Sequence, residues 1–487
     1  MDTTLVMRIN DSMQADGSHG ALWQLTACKA GDLLARGEVT PTEMLASVAE
    51  RVADVNPAVN ALPTLCLARA QEAARRVEAL APEERGLLHG LPVPIKDSYE
   101  VAGVRTTYGS LAYADHVPDR SDYFVETMEQ RGAIVFAKSN TPEFEAGANT
   151  FNEVFGRTLN PWDTTRSAAG SSGGAAVAVA TGMAHVAQGS DFACSLRYPA
   201  AFCNVVGLRP SPGLIPQGPS RLPHQVLSVI GPLARNVADV GFALDGMTAF
   251  DPRDPLTRPV GPASFRKAAQ RPQRPARAAY SADLGFAVVS KTVAEQARAA
   301  VNRLSAAGLD IAEPPIDLRE SESSFRILRA SQFASLRRDA FLAHGNNLKP
   351  EVAWNIEEGL RLSVLQLAEA EAQRARLRGD VLDILDRHGF IIAPTAPVTP
   401  FPVEERYVTS IDGVEQATYL DWLALGYAIT VSGCPSISIP CGPGIGLQIV
   451  GKPYGEASLL SFAAWVEEIL GSRLERPILP RGPVPQP

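Results

Sequence analysis

The stretch from Arg166 to Pro210, RSAAGSSGGAAVAVATGMAHVAQGSDFACSLRYPAAFCNVVGLRP, limits what this chain can fold into more than any other. Gly170, Ser171, Ser172, Gly173 and Gly174 form a loop of minimal side chains that runs into an Ala/Val helix, Ala175 to Ala180. A second small-residue loop ends in Ser195. Glycines let a backbone adopt otherwise costly angles and come close to another group, and serines add hydroxyls with little bulk. Such a run is also what a linker or a turn looks like. A phosphate-binding loop is excluded, because no lysine follows Gly174.

The rest of the chain supplies a large core around that stretch. Hydrophobic residues make up 45% of the 487 positions and charged ones 20%, a balance of globular proteins. The net charge of -8 argues against a nucleic-acid surface, which needs a basic patch. The 6 cysteines, Cys28, Cys66, Cys194, Cys203, Cys434 and Cys441, are scattered, with no C-x-x-C and no zinc spacing. They read as reduced, mostly buried thiols, with no metal and no cofactor implied. The N-terminal MDTTLVMRINDS lacks the apolar core of a signal peptide, and no apolar run is long enough for a membrane span. The expectation is a cytoplasmic protein.

Along the chain, residues 21–82 read as helices. Thr40 caps one, with Pro41 in its first turn and Glu43 three positions on; Leu45, Val48, Val52 and Val55 follow at helical spacing, and Asn56-Pro57 is expected to end it. Gly90 to Asp97 holds a short apolar strand ending in charge, and Ala133 to Lys138 a second, preceded by a helix through Val125 and Met128. Val205–Leu208 and Leu227–Pro232 read as strands and Val237–Met247 as a helix. Residues 251–275 read as a Pro- and Arg-rich surface connection, Ser290–Ala307 as an amphipathic helix, and 321–388 as mostly helical. Phe390–Thr395 returns to a buried strand, Cys434–Pro440 and Gly446–Gly451 pair, and a helix from Glu456 to Leu470 precedes a loose Pro-rich tail. The alternation of strands and helices predicts an α/β sheet.

The ordered motifs resemble the amidase signature family of serine hydrolases. GLPVPIKDSYEVAGVRTTYGS at Gly90–Ser110 is similar to that family's lysine segment, the GSSGG loop to its serine loop, and Gly189-Ser190-Asp191-Phe192-Ala193-Cys194-Ser195-Leu196-Arg197 to its nucleophile motif. KSNTPEF at Lys138–Phe144, NPWD at Asn160–Asp163, GLRP at Gly207–Pro210, GPLAR at Gly231–Arg235, APTAP at Ala393–Pro397 and GLQIVG at Gly446–Gly451 extend it over most of the chain. The resemblance implies one large α/β domain, 1–480, with a mixed twisted central sheet covered by helices on both faces. Residues 21–82 would be N-terminal helices, 83–249 and 389–480 the catalytic core, 250–388 a variable helical region decorating the sheet, and 481–487 a loose tail.

It also implies the chemistry. Lys96, kept neutral by burial, would take a proton from Ser171, which follows a cis peptide after Gly170; Ser171 would take one from the nucleophile Ser195. Backbone N–H groups of Phe192, Ala193, Cys194 and Ser195 would hold the oxyanion, with Ser172, Asp191 and Arg197 in support and the Asp191–Arg197 pair shaping the loop. The substrate would be a small-molecule amide or carbamate, an aryl amide or urethane among them, or an ester, and the protein a monomer or homodimer. One departure stands out: Ala193-Cys194 replaces a glycine pair, so the Cys194 side chain is expected to narrow the space beside Ser195. Tyr99, Tyr108, Phe144, Phe151, Phe155, Phe192 and Tyr198 suggest a cleft for an apolar acyl or aryl group.

Three rivals stand beside this reading. One is the glutaminase subunit of a tRNA-dependent amidotransferase. Another is a binding protein of the same fold disabled at Cys194. The third is a different hydrolase in which GSSGG is a G-x-S-x-G elbow, with Ser172 as nucleophile and His388 as base; that elbow must follow a strand, whereas 160–169 is polar and loop-like.

Overall fold

The computed structural model describes residues 21–261 and 264–482. The leading segment read above for a signal peptide, and 483–487 of the expected tail, lie outside the described residues.

The first helices form where their caps dictate. Thr40 Oγ1 accepts the Glu43 N–H at 3.1 Å while Glu43 Oε2 accepts the Thr40 N–H at 2.8 Å, a reciprocal capping box that starts the helix Pro41–Val59. That helix runs three residues past the expected stop at Asn56. Pro57 sits in its last turn, where the fixed φ of proline suits a helix and only one backbone bond is lost. The end is set instead by Asn60, left-handed at φ 51°, and by the Asn56 side chain, which accepts the N–H groups of Ala61 and Leu62.

Two sheets carry the molecule. A three-stranded sheet sets Ile134–Ser139 between Thr64–Leu65 and Pro92–Lys96, the latter pair parallel. The main sheet has eight strands in the order Asp310–Ala312, Arg277–Tyr280, Ile391–Pro394, Ile445–Val450, Ser436–Gly442, Val206–Arg209, Val229–Ala234, Val186–Asp191. The first three are mutually parallel and the remaining neighbours antiparallel, so the sheet is mixed. Successive side chains of a strand point to opposite faces. Ile392 accordingly joins one core, with Val237, Val301 and Leu459 from helices, while Ile391 and Ala393 join another with Leu385, Leu425 and Ile429. Helices therefore cover both faces, as expected.

Several expectations need correcting. Val186–Asp191, read as loop, is a fully buried strand; its VAQGSD carries too little apolar bulk to signal one. Residues 250–388 do more than decorate the sheet, because Arg277–Tyr280 and Asp310–Ala312 are two of its strands. Both are too short for a periodicity to show, and the first is hidden in a Pro/Arg-rich run. The helix Ala424–Ser432, wholly buried, has no counterpart among the expected elements. The C-terminal run is anchored as far as it is described: Ile478 N–H donates to the Ala180 carbonyl at 3.0 Å and Arg481 N–H to that of Pro161 at 3.0 Å. Among the described residues no helix is long and apolar enough to cross a membrane.

Candidate active site

Four chain segments meet at one point. Pro92–Lys96 ends in Lys96, and the lysine backbone N–H donates to Gln188 Oε1 at 3.0 Å, which joins the small sheet to the Val186–Asp191 strand. The GSSGG loop crosses both strand ends and starts the helix Gly173–Ala180. It fits there only without side chains: a Cβ on Gly174 would lie 2.6 Å from the Ala61 carbonyl oxygen. The Gly170–Ser171 peptide is cis, as the resemblance implied. The segment after Asp191 closes the point from the far side and leads into the helix Arg197–Phe202.

At the junction Lys96 Nζ lies 2.6 Å from Ser171 Oγ, 2.8 Å from Ser190 Oγ and 2.6 Å from Glu145 Oε1. Ser190 Oγ donates to the same Glu145 oxygen at 2.6 Å. Lys96 and Ser171 are fully buried and Ser195 is 6% exposed. Burial pushes the Lys96 ammonium below the usual lysine range, and the carboxylate of Glu145 works against that shift. Burial would raise Glu145, yet Lys96, Ser190 and Arg337 together hold its carboxyl below the ordinary value. A lysine in this state can serve as a base where a solvated one cannot.

The nucleophile segment is held by buried charge. The Arg197 guanidinium donates to Asp191 at 2.9 and 3.1 Å, to Gln448 Oε1 at 2.9 Å, to the Ala193 carbonyl at 2.7 Å, to the Gly426 carbonyl at 3.0 Å and to Thr430 Oγ1 at 3.1 Å. Arg209 donates to the Asp191 carbonyl at 2.6 Å. Burial would raise the Asp191 carboxyl, but Arg197 and Arg209 hold it below the usual range. A buried, multiply hydrogen-bonded pair is one whose disruption is costly, so these contacts fix the path of residues 192–196. The N–H groups of Phe192, Ala193, Cys194 and Ser195 donate to no backbone acceptor among the described residues, and backbone donors left over in a packed loop are what an oxyanion needs. Ser172 N–H donates to the Ser195 carbonyl at 3.2 Å and ties the two loops together. No hydrogen bond joins the Ser171 and Ser195 side chains in this structure.

Cys194 packs against a neighbouring helix. It is fully buried, and a Cβ placed on Gly426 would fall 2.5 Å from its own Cβ. The side chain therefore packs onto the bare backbone of the Ala424–Ser432 helix, away from the cavity, which Phe192 alone of the segment lines. The bulk is accommodated by a glycine on a neighbouring helix, and neither Cys194 nor Ser195 is among the residues that line the cavity. Burial and the nearby Asp191 raise the Cys194 thiol well above its ordinary range, so it has no thiolate character.

The cavity beside Glu145 has a volume of about 390 Å³. Of the seven aromatics expected at a cleft, Tyr99, Tyr108, Phe144 and Phe192 line it. Phe151 lines a smaller cavity of about 190 Å³. Phe155 lines neither, and lies under the Arg105 guanidinium. Tyr198 is buried, its hydroxyl donating to the Trp422 carbonyl at 3.2 Å. The far wall comes from the helix Ser321–His344 through Gln332, Phe333, Leu336 and Arg337.

The elbow rival finds no support. The Ser172 hydroxyl is engaged with the backbone of Ser190 in both directions at 3.2 Å, and a loop, not a strand, precedes it. His388 ends the helix Val364–His388, with no hydrogen bond to Ser172. Two residues of the junction escaped the sequence reading. Glu145 stands one position beyond the KSNTPEF run, and Ser190 lay inside a quoted motif without a role. No spacing rule points to either. Among the described residues no cluster of His, Cys, Asp or Glu could hold a metal ion.

Comparison with known proteins adds lineage to geometry. Residues 43–460 match the Amidase family. The chain is 32% identical to an acylamidase of Rhodococcus erythropolis over 91% of its own length and 95% of the relative. It is 30% identical to a glutamyl-tRNA(Gln) amidotransferase subunit of Moorella thermoacetica, over 94% and 99% respectively. A 6-aminohexanoate cyclic dimer hydrolase complexed with substrate superposes with a TM-score of 0.83 at 27% identity, covering 94% of this chain and 100% of the other.

Proposed function

The chain belongs to the amidase family, and we propose that it is a serine hydrolase that cleaves carbon–nitrogen amide bonds of small molecules through an acyl-enzyme on Ser195. The observation that carries this reading is a lysine with no exposure, its Nζ 2.6 Å from the hydroxyl of Ser171, one loop away from a serine flanked by unused N–H groups. Neutral Lys96 takes the Ser171 proton as Ser171 takes that of Ser195, and Ser195 Oγ attacks the carbonyl. The oxyanion falls among the N–H groups of residues 192–195. The proton then passes back to the leaving amine, and water releases the acyl group. General base help is worth about 10²–10⁴ in rate, and one oxyanion donor about 10²–10³. The aromatic rings of Tyr99, Tyr108, Phe144, Phe192 and Phe333 along the cavity favour an aryl or extended apolar group, so aryl amides and urethanes are the first substrates to try. The test is a panel of anilides, primary amides, esters, carbamates and glutamine with the purified chain and its Ser195→Ala variant. Turnover of anilides or carbamates that the variant lacks is expected.

A second reading is favoured by the relatives named as amidotransferase subunits: a glutaminase working within a complex. Release of ammonia from glutamine by the isolated chain, with anilides untouched, would establish it.

A further inference from the structure

The Lys96 amine has three close neighbours, and the proposed relay uses one of them. Resting on that relay, we propose that Glu145 is a positioning residue of the reaction: with Ser190 it occupies the two N–H groups of neutral Lys96, aims the remaining lone pair at Ser171, and its charge makes Lys96 a stronger base. The geometry is specific. Ser190 Oγ spends its own proton on Glu145 Oε1 at 2.6 Å, so it presents only lone pairs to Lys96, 2.8 Å away. Glu145 presents only lone pairs as well, at 2.6 Å. Both contacts must therefore be donated by the lysine. A neutral amine has two N–H groups and one lone pair, and the one neighbour left to face that lone pair is Ser171 Oγ, whose proton it must accept.

The proton count closes around this arrangement. Ser195 Oγ loses its proton to Ser171 Oγ, whose own proton moves to Lys96 Nζ. Lys96 becomes an ammonium with three donors, matched by Glu145, Ser190 and Ser171. Glu145 gains no proton; its negative charge offsets the new positive one on a lysine with no solvent exposure. An opposite charge at this distance favours the charged form by about 1–3 pKa units. Other charged and titratable groups face the pair. Asp191 and Cys194 on the nucleophile segment face Lys96, whereas Arg337 on the Ser321–His344 helix and Tyr99 just after Lys96 face Glu145. Of all these groups Glu145 is the one in contact with the lysine amine, and its side chain, 20% exposed, also opens onto the cavity.

The experiment uses the full chain and a fluorophosphonate that modifies the nucleophilic serine, so it requires no knowledge of the substrate. The rate of modification is followed across the pH range in which lysine titrates, for wild type and for Glu145→Gln, Glu145→Asp, Lys96→Ala and Ser195→Ala. Gln keeps an acceptor and removes the charge. Its rate profile should show the acid limb displaced to lower pH by about one unit or more, with a plateau lowered several-fold because the lysine is a weaker base. Asp keeps the charge, so its limb should return toward the wild-type position. A Glu145→Gln profile that overlays wild type, or a limb moved to higher pH, overturns the role of Glu145 while leaving the relay intact, provided Lys96→Ala and Ser195→Ala are unreactive. Wild-type reactivity in those two variants overturns the relay and this inference with it.

Discussion

The nucleophile segment and the helical wall that faces it across the cavity are built on opposite plans. Residues 189–197 are held by buried polar contacts, with Asp191 and Arg197 at zero exposure and the Arg197 guanidinium engaged by five residues. The wall on the Ser321–His344 helix is made of long side chains that touch one another. The Arg337 guanidinium lies 4.7 Å from the Phe144 ring centroid and 5.6 Å from that of Tyr108, and Asp339 pairs with Arg221 out in solvent. Shifting the first plan leaves buried charge unpaired; shifting the second exchanges one half-solvated contact for another. On the proposed reading this is a division of labour, in which the segment carries the reaction and the wall selects what is brought to it.

The largest effect should separate the two regions outright. Ser195→Ala and Lys96→Ala are each expected to remove nearly all turnover with melting behaviour preserved, and Ser171→Ala to cost about 10²–10⁴-fold in kcat. Activity retained in Ser195→Ala and lost in Ser172→Ala would break the comparison at its root.

Next comes the rigidity of the segment. Gly426→Ala sets a methyl group 2.5 Å from the Cys194 Cβ, and overpacking of this kind costs about 1–3 kcal/mol. Stability by denaturant titration should fall by that amount, and kcat with it, because the displaced Cys194 belongs to the loop proposed to hold the oxyanion. Adding Cys194→Gly should restore part of both, because the Ala193 carbonyl oxygen, 2.6 Å from the new methyl group, still opposes it. Cys194→Gly alone should leave acyl preference unchanged, because its side chain does not reach the cavity. A double variant no better than Gly426→Ala would show that the two residues are not coupled.

The wall should respond in another parameter. Arg337→Ala is expected to raise KM for aryl substrates several-fold through loss of a cation–π contact worth about 0.5–2 kcal/mol, with a smaller fall in kcat because Arg337 also faces Glu145. A fall in kcat larger than the rise in KM would mean that the helix acts mainly on the chemistry and that the contrast between the regions is false.

The smallest effect concerns burial with no reaction attached. Glu467 is 7% exposed and accepts the Val237 N–H at 2.9 Å, and burial pushes its carboxyl up to about 7. The folded protein thus keeps a proton there that the unfolded chain gives up near about pH 4. Stability is lost as pH rises through that window, because the folded state binds more protons. Glu467→Gln removes the dependence. Between about pH 5 and about pH 8 the wild-type melting temperature should fall by roughly 1–3 °C more than that of the variant, as read by calorimetry. Equal falls would show that the proton is not held there.

Much of this was legible in the chain. Helices with strong caps, Thr40 with Glu43 and Ser290 before Lys291, declare their starts in side-chain chemistry that acts within a few residues. Lys96, Ser171 and Ser195 come from ordered motifs whose glycines record close backbone approach, as Gly174 does against Ala61. What the sequence by itself determined is therefore what local physics and an ordered run of small residues can encode: the caps, the longer apolar strands such as Ile134–Ser139, and the identity of the three relay candidates. Tertiary structure alone decided the rest. Arg277–Tyr280 is a strand because the parallel neighbours Ile391–Pro394 and Asp310–Ala312 offer it partners on both edges, not because four residues prefer to extend. Cys194 turns from the cavity because Gly426, more than two hundred residues away, leaves room for it. Glu145 reaches Lys96 across forty-nine positions of chain, and no spacing announces such a contact. Charge, burial and packing act through space, and space is assigned only when the whole sheet closes.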